Sequence, residues 1–402
     1  MKRLLAPVFV LLAVGTAFAA RAAPVLQPTD PTPQQAGHVG HYFPPPGQWE
    51  RRDPAQSGLN AEKLAGAIEW VKQRPADIPA DFSTQSTIFG RPLGPLPTRH
   101  AGSNGVIIRH GYIAAEWGDT AAVDPAYSCA KSYLSTLLGL AIDRGVIPGI
   151  DDPVGKLIHD GGYDSPQNAT ITWRHHVTQT SEWQGEMFGK SHTFQGKEEF
   201  GQGAMRPREL QPPGTRYEYN DVRINRFSLS LMRAFNRPLP DVLRTEIMDP
   251  IGASATWVYH GYANSTVDVD GTPMVSVSGG TRWGGGLWMN SLDHARFGYL
   301  MLRRGEWNGR RIISEEWIKE ATSPQGVRKD YGYLWWLNTD HAAWPGAPVS
   351  AFAAQGAGSN VIYIDPENDL VVVWRWHARG DQAEFFARLT DAVEAGSPPA
   401  AK

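Results

Sequence analysis

Ser128 and Lys131 lie three residues apart at the head of a helix-forming segment, and together they could perform nucleophilic catalysis. Three residues are roughly one helical turn, so both side chains would emerge on one face and could meet. A serine hydroxyl becomes a good nucleophile when a neighbouring base removes its proton, and a desolvated lysine can be that base. The pair alone is a weak indication, because the same spacing arises by chance on ordinary solvated helices.

Cys129, next to Ser128, is the only cysteine of the 402 residues. A single cysteine excludes an intrachain disulfide and a zinc site built from cysteines. Its thiol is an alternative nucleophile, but neighbouring residues on a helix point about 100° apart. We expect Cys129 to be a small buried packing residue instead.

Composition places the chain among ordinary soluble globular proteins, with 41% hydrophobic and 20% charged residues. The net charge of −3 gives no reason to expect a nucleic-acid partner or an acidic membrane surface. Of the fifteen tryptophans, most should be core residues. We expect Trp183, Trp283 and Trp336, which lie in candidate site segments, to line an aromatic pocket.

The first 22 residues have the pattern of a secretory signal peptide. Lys2 and Arg3 precede an apolar run over residues 4–17, and A-x-A cleavage sites follow at residues 17–19 and 20–22. The run is too short for a membrane span, and no later stretch approaches spanning length. We expect an exported protein, periplasmic or secreted, without stable membrane insertion.

Elements near both ends of the chain predict one sheet flanked by helices. Residues 23–55 are rich in proline and read as an extended arm. Strands are predicted at 106–109 and Tyr112–Trp117 around the turn His110-Gly111, and again at 361–364 and 370–376. The helix that carries Ser128 has an alternative start at Asp124-Pro125, which would place the serine inside its second turn.

Helices are predicted after Asn60 and Ser314, and over about 381–395. Between residues 151 and 290 the pattern changes to short helices and turns rich in glycine and proline. The chain therefore predicts an α/β (α+β) domain from 56–150 and 291–396, interrupted by a mostly helical insertion at 151–290.

Several segments, in order, resemble one family. Ser128-Cys129-Ala130-Lys131-Ser132 resembles the nucleophile motif of the serine β-lactamase-like hydrolases, in particular the branch of class C β-lactamases, family VIII esterases and 6-aminohexanoate-dimer hydrolases. The further similar segments are ITWRHHVTQTSEW (171–183), PGTRYEYNDVRIN (213–225) and GGTRWGGGLWMNSLDHARFGYLMLRRGEWNGRRIISEEW (279–317). The resemblance covers about residues 55–395 and implies a β-lactamase/transpeptidase-like fold.

The resemblance implies roles for individual residues. Ser128 would be the nucleophile and Lys131 its proton acceptor. Tyr219, at the position of the family's second-motif tyrosine, would shuttle the proton to the leaving group as a tyrosinate whose pKa a lysine cation keeps low. The N–H groups of Ser128 and Ala357 would form the oxyanion hole.

Two departures from the family pattern add carboxylates. Asp221 stands where the family has asparagine, so it can orient Lys131 but also hold it protonated more tightly. Which of Lys131 and Tyr219 is the resting base therefore stays open. Glu182 replaces the glycine of a Ser-Gly pair, and we expect its carboxylate to face either the cleft or water.

The third departure bears on the substrate. The family's Lys-Thr-Gly strand aligns with Ala354-Gln355-Gly356, so the cation that would grip a substrate carboxylate is absent from this motif. Gln355 could supply a neutral polar contact, and Gly356 could bring the backbone close to the substrate. We expect a small ester or neutral amide as substrate, in preference to a β-lactam.

These observations predict an exported serine hydrolase that works through an acyl-enzyme. The alternatives are an amidase on linear 6-aminohexanoate-type oligomers, a β-lactamase or D-Ala peptidase, and a catalytically silent protein that binds peptidoglycan or peptides. The sequence has no G-x-S-x-G elbow, H-E-x-x-H motif or P-loop, and we read His175-His176 as a surface or core pair. We expect neither a metal nor another cofactor.

Overall fold

The computed structural model describes residues 41–84, 92–193, 208–280 and 283–394. The predicted signal peptide and residues 23–40 of the predicted arm lie outside this part of the chain. The strands are β1 Asn104–Arg109, β2 Tyr112–Trp117, β3 Asp124–Pro125, β4 Glu186–Met187, β5 Lys190–Ser191, β6 Val258–Val269, β7 Thr272–Val277, β8 Gly286–Met289, β9 Glu306–Trp307, β10 Arg310–Arg311, β11 Trp336–Leu337, β12 Phe352–Gly356, β13 Asn360–Asp365 and β14 Leu370–Arg375. The helices are α1 Ala61–Lys72, α2 Ala130–Asp143, α3 Trp173–Val177, α4 Asp221–Phe235, α5 Leu239–Leu243, α6 Ser291–Leu302, α7 Glu315–Ala321 and α8 Gln382–Ala392. None of these helices is long and apolar enough to cross a membrane.

A six-stranded antiparallel sheet, in the order β11-β12-β13-β14-β1-β2, forms the centre of the fold. Strand β1 pairs with β14, so that Val106 lies opposite Val373. The strands are rich in valine and isoleucine, whose branched side chains suit a pleated sheet. As the sequence predicts, the N-terminal and C-terminal segments build one sheet.

The first hairpin has the predicted two-residue turn. His110 and Gly111 have φ values of 53° and 88°, the left-handed pair that matches the twist of two antiparallel strands. Gly111 is required there also by space, since an added Cβ would lie 2.3 Å from the carbonyl oxygen of Tyr42.

Helices cover both faces of the sheet. On one face, Leu64 of α1 and Phe385 of α8 pack in the same buried cluster as Val372. On the other face, Leu134 of α2 and Phe297 of α6 belong to the larger core. The layers are therefore helix, sheet and helix, and α2 reaches the site from the second layer.

Residues 41–53 of the predicted arm wrap along the edge of the sheet. Ile113 of β2 accepts a hydrogen bond from the Arg52 N–H at 3.0 Å and donates to the Glu50 carbonyl at 3.0 Å. The buried guanidinium of Arg296 donates to the carbonyl oxygens of Pro44, Pro45, Gln48 and Ile251. This segment therefore covers an edge strand that would otherwise expose unpaired backbone groups.

The insertion is more mixed than the sequence analysis expected. It contains α3, α4 and α5, but β3, β8, β6 and β7 form a four-stranded sheet beside them. The long β6–β7 hairpin turns at Asp270-Gly271, with φ values of 50° and 81°. That Asp-Gly pair, between alternating valines, is a hairpin signal that the sequence analysis missed.

Candidate active site

Ser128 lies in a short 3-10 turn, Tyr127–Cys129, directly before α2 begins at Ala130. The alternative helix start at Asp124-Pro125 is wrong, because these two residues form β3 and pair with β8. The structure therefore places Ser128 at the tip of the helix and Lys131 in its first turn. The serine is partly exposed, whereas Lys131 is buried.

The turn that presents Ser128 is tightly held. Tyr127 has a φ of 48°, a conformation that costs a non-glycine residue roughly 1–2 kcal/mol. Gly280 packs directly against it, since an added Cβ at Gly280 would lie only 1.7 Å from the Tyr127 carbonyl oxygen. Strained backbone of this kind is common where a reactive side chain must be held in one orientation.

Lys131 connects three groups around its ammonium. Its Nζ lies 2.8 Å from Oγ of Ser128, 2.9 Å from the carbonyl oxygen of Gly279 and 2.8 Å from Oδ1 of Asp221. Ser128 and the Gly279 carbonyl accept hydrogen bonds from this ammonium, and Asp221 forms an ion pair with it. The structure thus brings the predicted nucleophile and base into direct hydrogen-bond contact.

The pKa of Lys131 is raised from its ordinary value. Burial alone lowers this pKa, but the negative charge of Asp221 and the hydroxyl of Tyr219 outweigh that effect. This direction agrees with the expectation that Asp221 holds the lysine protonated, which stays a prediction. The basic form of Lys131 is therefore scarce at neutral pH.

Tyr219 completes the group, and the structure corrects one expectation about it. The Lys131 Nζ lies 4.9 Å from the centroid of the Tyr219 ring, and Lys131 and Ser128 are both close enough to lower the pKa of the phenol. Burial raises the pKa of Tyr219, and this effect outweighs the lowering by Lys131. The prediction of a tyrosinate with a low pKa is wrong, so Tyr219 rests as a neutral phenol.

The loop that carries Tyr219 is fixed from both sides. Asn220 caps α4, accepting from the Arg223 N–H at 3.0 Å. The Asn220 N–H donates to Oε1 of Gln179 at 3.1 Å, and the Glu218 N–H donates to the Gln179 carbonyl oxygen at 2.9 Å. These bonds hold both neighbours of Tyr219, so the phenol is held in a defined place.

Strand β12 ends beside Ser128. An added Cβ at Gly356 would lie 2.3 Å from the Ala126 carbonyl oxygen and 3.1 Å from the Ser128 nitrogen, so only glycine allows this approach. Ala357 follows directly and packs against the cluster of Phe82, Tyr127 and Trp376. The structure thus brings together the two segments predicted to form the oxyanion hole, while the pairing of the Ser128 and Ala357 N–H groups stays a prediction.

The predicted substrate-contact residues separate into two groups. Trp336 is partly exposed, and its ring stacks on Tyr219 with centroids 6.1 Å apart. Gln355, also partly exposed, lies on β12 directly before Gly356. These residues, unlike the other two tryptophans, lie next to the catalytic group and leave surface for a substrate.

Trp183 and Trp283 do not present aromatic surface as expected. Each is 3% exposed and belongs to the core. The Trp183 indole donates to the Gly162 carbonyl oxygen at 2.8 Å, which fixes the ring inside the insertion. The expectation that Trp183 and Trp283 line an aromatic pocket is therefore wrong, and both residues pack in the core.

Glu182 faces neither the cleft nor water, contrary to expectation. Its side chain is completely buried and contacts Arg208 and Arg223, the latter at 3.0 Å. Its Oε2 also accepts from the Gln211 N–H at 2.9 Å. Although burial raises the pKa of Glu182, these partners lower it to about 2. Arg208 and Arg223, which lie 26 and 41 residues after Glu182 in the sequence, thus neutralise its carboxylate.

Sequence reasoning missed several residues around the site. The Gly279 carbonyl oxygen binds Lys131, and a backbone acceptor leaves no signal in side-chain chemistry. Arg328 lies over Trp336 at 5.1 Å and over Tyr217 at 4.7 Å, measured to the ring centroids, and pairs with Asp330. Only the tertiary structure brings this neutralised cation to the aromatic side of the site.

The described residues contain no group of three or more His, Cys, Asp or Glu side chains that could hold a metal ion. His175 takes part in the N-terminal cap of α3 with Thr172, and Nε2 of His176 lies 2.9 Å from the Tyr163 hydroxyl. Both histidines thus have structural partners, in agreement with their reading as a core or surface pair.

Comparison with known proteins gives the family. The sequence model of the Beta-lactamase family matches residues 119–396, which is more than half of the chain and includes every residue of the candidate site. The chain belongs to the beta-lactamase family. No curated protein matches it by sequence.

Solved structures share the fold of this beta-lactamase family member. EstCE1, "a hydrolase with promiscuous acyltransferase activity", is 15% identical with a TM-score of 0.55, and the match covers 83% of this chain and 99% of EstCE1. A penicillin-binding protein homologue from Caulobacter crescentus and the simvastatin synthase LovD from Aspergillus terreus each have 15% identity, a TM-score of 0.55 and coverage of 83% of this chain and 98% of their own. At this identity the similarity establishes the β-lactamase/transpeptidase-like fold.

Proposed function

We propose that this beta-lactamase family member is a serine hydrolase that cleaves neutral carboxylic esters through an acyl-enzyme on Ser128. The observation that carries the proposal is the 2.8 Å contact between Oγ of the partly exposed Ser128 and Nζ of the buried Lys131. A nucleophile in direct contact with a base is the arrangement that covalent acyl transfer needs.

The proposed reaction begins from the form in which Lys131 is neutral. Oγ of Ser128 bonds to the ester carbonyl carbon, its proton moves to Nζ of Lys131, and the carbonyl electron pair moves to the oxygen. The N–H groups of Ser128 and Ala357 would stabilise that oxyanion. Collapse breaks the bond to the alcohol oxygen, which takes a proton from Lys131 through Tyr219. Water then attacks the acyl carbon and gives a proton to Lys131 through Tyr219. Collapse of this second tetrahedral intermediate breaks the bond to Oγ of Ser128, which takes the proton back from Lys131, and the acid is released.

The substrate class follows from charge and shape. The strand beside the nucleophile carries Ala354-Gln355-Gly356, so it offers no cation to a substrate carboxylate. Arg328, the cation near Trp336, is paired with Asp330 at 2.5 Å. The partly exposed ring of Trp336 offers apolar contact. Neutral esters with an apolar acyl or alcohol group therefore fit better than a β-lactam acid.

We also propose that the protein is exported. This rests on the charged start, apolar run and A-x-A sites of residues 1–22, which lie outside the described residues. Cell fractionation that compares the full chain with a variant lacking residues 1–22 tests it. Retention of both forms in the cytoplasm would contradict export.

The activity is tested by treating the mature protein with a fluorophosphonate probe and with p-nitrophenyl butyrate. Ser128→Ala and Lys131→Ala should lose covalent labelling and at least about a thousandfold in kcat/KM. Lys156→Ala, which removes an exposed lysine, is the matched control and should behave as wild type. Nitrocefin and a p-nitroanilide of the same acid measure β-lactam and amide cleavage.

Each outcome decides between the candidate functions. Equal labelling and turnover in wild type and in the two site variants would contradict the mechanism. A folded wild type that neither labels nor turns over any substrate would favour a binding protein on this scaffold. Nitrocefin cleavage as fast as ester cleavage would contradict the argument from the missing cation.

A further inference from the structure

Arg375 lies at the end of β14 and is 1% exposed. Its Nη1 donates to the Met289 carbonyl oxygen at 2.6 Å, and its Nη2 donates to the carbonyl oxygens of Asp124 and Pro125 at 3.1 and 3.0 Å. Its Nε donates to Oδ1 of Asn360 at 2.6 Å. A guanidinium is a planar fork with fixed donor directions, so these bonds lock β3, β8 and β13 to one another.

Asn360 connects Arg375 to the two segments that lie beside Ser128. While Oδ1 accepts from Arg375, Nδ2 donates to the Ala357 carbonyl oxygen at 2.6 Å. The Asn360 carbonyl oxygen accepts from Sγ of Cys129 at 3.3 Å. One buried side chain and its own backbone thus contact the residue after Ser128 and the residue predicted to supply the second oxyanion donor.

The hydrogen bond from Asn360 restricts Ala357, a residue of the predicted oxyanion hole. Gly356 pairs with Asn360 across the β12–β13 turn, and Gly358 follows with a φ of 72°. The N–H and the carbonyl of Ala357 flank the same Cα, so holding the carbonyl limits rotation of the residue that carries the N–H. Oxyanion donors are effective only when they are already aimed at the developing charge.

Burial of Arg375 is costly unless each donor is matched. A buried cation whose partners are removed is strongly destabilising, and here the direct acceptors are carbonyl and amide oxygens. The carboxylate of Asp124 is directed elsewhere, since Oδ2 accepts from the Trp376 indole at 2.9 Å and from the Ala101 N–H at 3.0 Å. The direct hydrogen-bond partners of the buried Arg375 charge are therefore neutral backbone carbonyl and amide groups. Two of them belong to β3, which precedes the turn that carries Ser128.

We propose that Asn360, held by Arg375, is a positioning residue that fixes the Ala357 N–H relative to the Ser128 N–H in the oxyanion hole. This inference rests on the proposed function. Both residues are 1% exposed, so neither would touch the substrate. Loss of the Asn360 amide would release the Ala357 carbonyl, and Ala357 could then turn about its Cα. The N–H of Ala357 would no longer be held in line with the carbonyl oxygen of a bound ester.

The test compares hydrolysis of p-nitrophenyl butyrate with that of the corresponding thiono ester, in which sulfur replaces the carbonyl oxygen. Aligned N–H donors stabilise a developing oxyanion better than a thiolate, so wild type should strongly favour the oxygen ester. Asn360→Asp keeps an acceptor for Arg375 but turns the donor that holds Ala357 into a repelling oxygen. We expect its kcat for the oxygen ester to fall about 10-fold to 100-fold with little change in KM, and the oxygen-to-sulfur preference to fall in parallel.

Asn338→Asp is the matched control. Asn338 is also fully buried, and its Nδ2 likewise donates to backbone carbonyl oxygens, those of Trp344, Ala347 and Pro348. The same chemical change there should alter stability but leave the preference for the oxygen ester unchanged. Rates are expressed per active site titrated with the fluorophosphonate probe, so loss of folded protein does not enter the ratio.

An Asn360→Asp variant that is slower but keeps the wild-type preference would overturn the inference, since its effect would be structural only. A wild type that hydrolyses both esters equally would overturn it as well and leave the hydrolase intact. Failure of wild type to hydrolyse either ester would instead count against the proposed function. If Asn360→Asp does not fold, Asn360→Ser removes the amide with less disturbance, and the same ratio decides.

Discussion

The Nζ of Lys131 lies 2.8 Å from Oδ1 of Asp221, so the proposed base forms an ion pair with a carboxylate where the family pattern has an uncharged asparagine. Lys131 is 1% exposed, and although burial lowers its pKa, Asp221 and Tyr219 together raise it above its ordinary value. The same contact that orients the lysine toward Ser128 therefore reduces the fraction that is free to accept a proton. Proton acceptance by Lys131 Nζ and its ion pair with Asp221 therefore oppose each other.

The first prediction concerns pH. Because the pKa of Lys131 is raised, the neutral amine becomes more abundant as the pH rises, and kcat/KM for an ester should increase above neutrality. Asp221→Asn removes a charge that raises this pKa, so the rising limb should move to lower pH. Each pH unit of this movement corresponds to about tenfold more basic lysine at neutral pH. The measurement is a pH profile of kcat/KM for both proteins.

Asp249→Asn, which removes an exposed carboxylate, controls for the change in net charge and should keep the wild-type profile. The rising limb of the pH profile could stay in place while the activity of Asp221→Asn falls at every pH. That result would show that Asp221 does not act by setting the pKa of Lys131.

The second prediction concerns Cys129. Burial raises the pKa of its thiol to about 12, and Sγ is bonded to the Asn360 carbonyl oxygen. The reactive thiolate is therefore rare, and iodoacetamide at pH 7 should neither modify the folded protein nor reduce its activity. Mass spectrometry checks the modification. Ser128→Cys, with a partly exposed thiol at the neighbouring position, is the positive control, and rapid alkylation of native Cys129 would contradict the assignment.

The third prediction concerns acid stability. Glu182 has a pKa of about 2 in the folded protein, below that of an unfolded glutamate, so its contribution is complete above about pH 4.5 and is lost as the pH falls toward 2. Glu182→Gln should lower the free energy of unfolding by about 3 kcal/mol at pH 7, and the difference from wild type should narrow below pH 4.5. Urea unfolding at several pH values measures this. Exposed Glu209 gives the control Glu209→Gln, and a difference for Glu182→Gln that does not depend on pH would contradict the account.

The fourth prediction separates the tryptophans. Trp336 is partly exposed beside Tyr219, so Trp336→Ala should lower kcat/KM for octanoate esters about tenfold more than for acetate esters, through lost apolar contact. Trp183 is buried, and Trp183→Ala should instead reduce the free energy of unfolding by about 3–5 kcal/mol without changing chain-length preference. A ratio of octanoate to acetate rates that Trp336→Ala leaves unchanged would place the acyl chain elsewhere.

Local pattern was sufficient for much of the fold. Alternating apolar residues and the His110-Gly111 turn predict the β1–β2 hairpin, and the spacing of Ser128 and Lys131 predicts that they meet on one turn. Both depend on residues near each other in the chain. The β6–β7 hairpin carried an equally local signal at Asp270-Gly271, and this signal was missed.

The amino-acid sequence was enough to predict Ser128 as nucleophile and Lys131 as its base and to identify the replacement by Asp221, because these depend on residue type and short-range spacing within motifs. Three other properties became visible only in the folded chain: arginines enclose Glu182, Trp183 is packed in the core, and the pKa of Tyr219 is raised. Burial and distance between remote segments set these properties, and the same is true of the Arg375–Asn360 link to Ala357. A pKa or an exposed surface is a balance among neighbours that only the folded chain brings together.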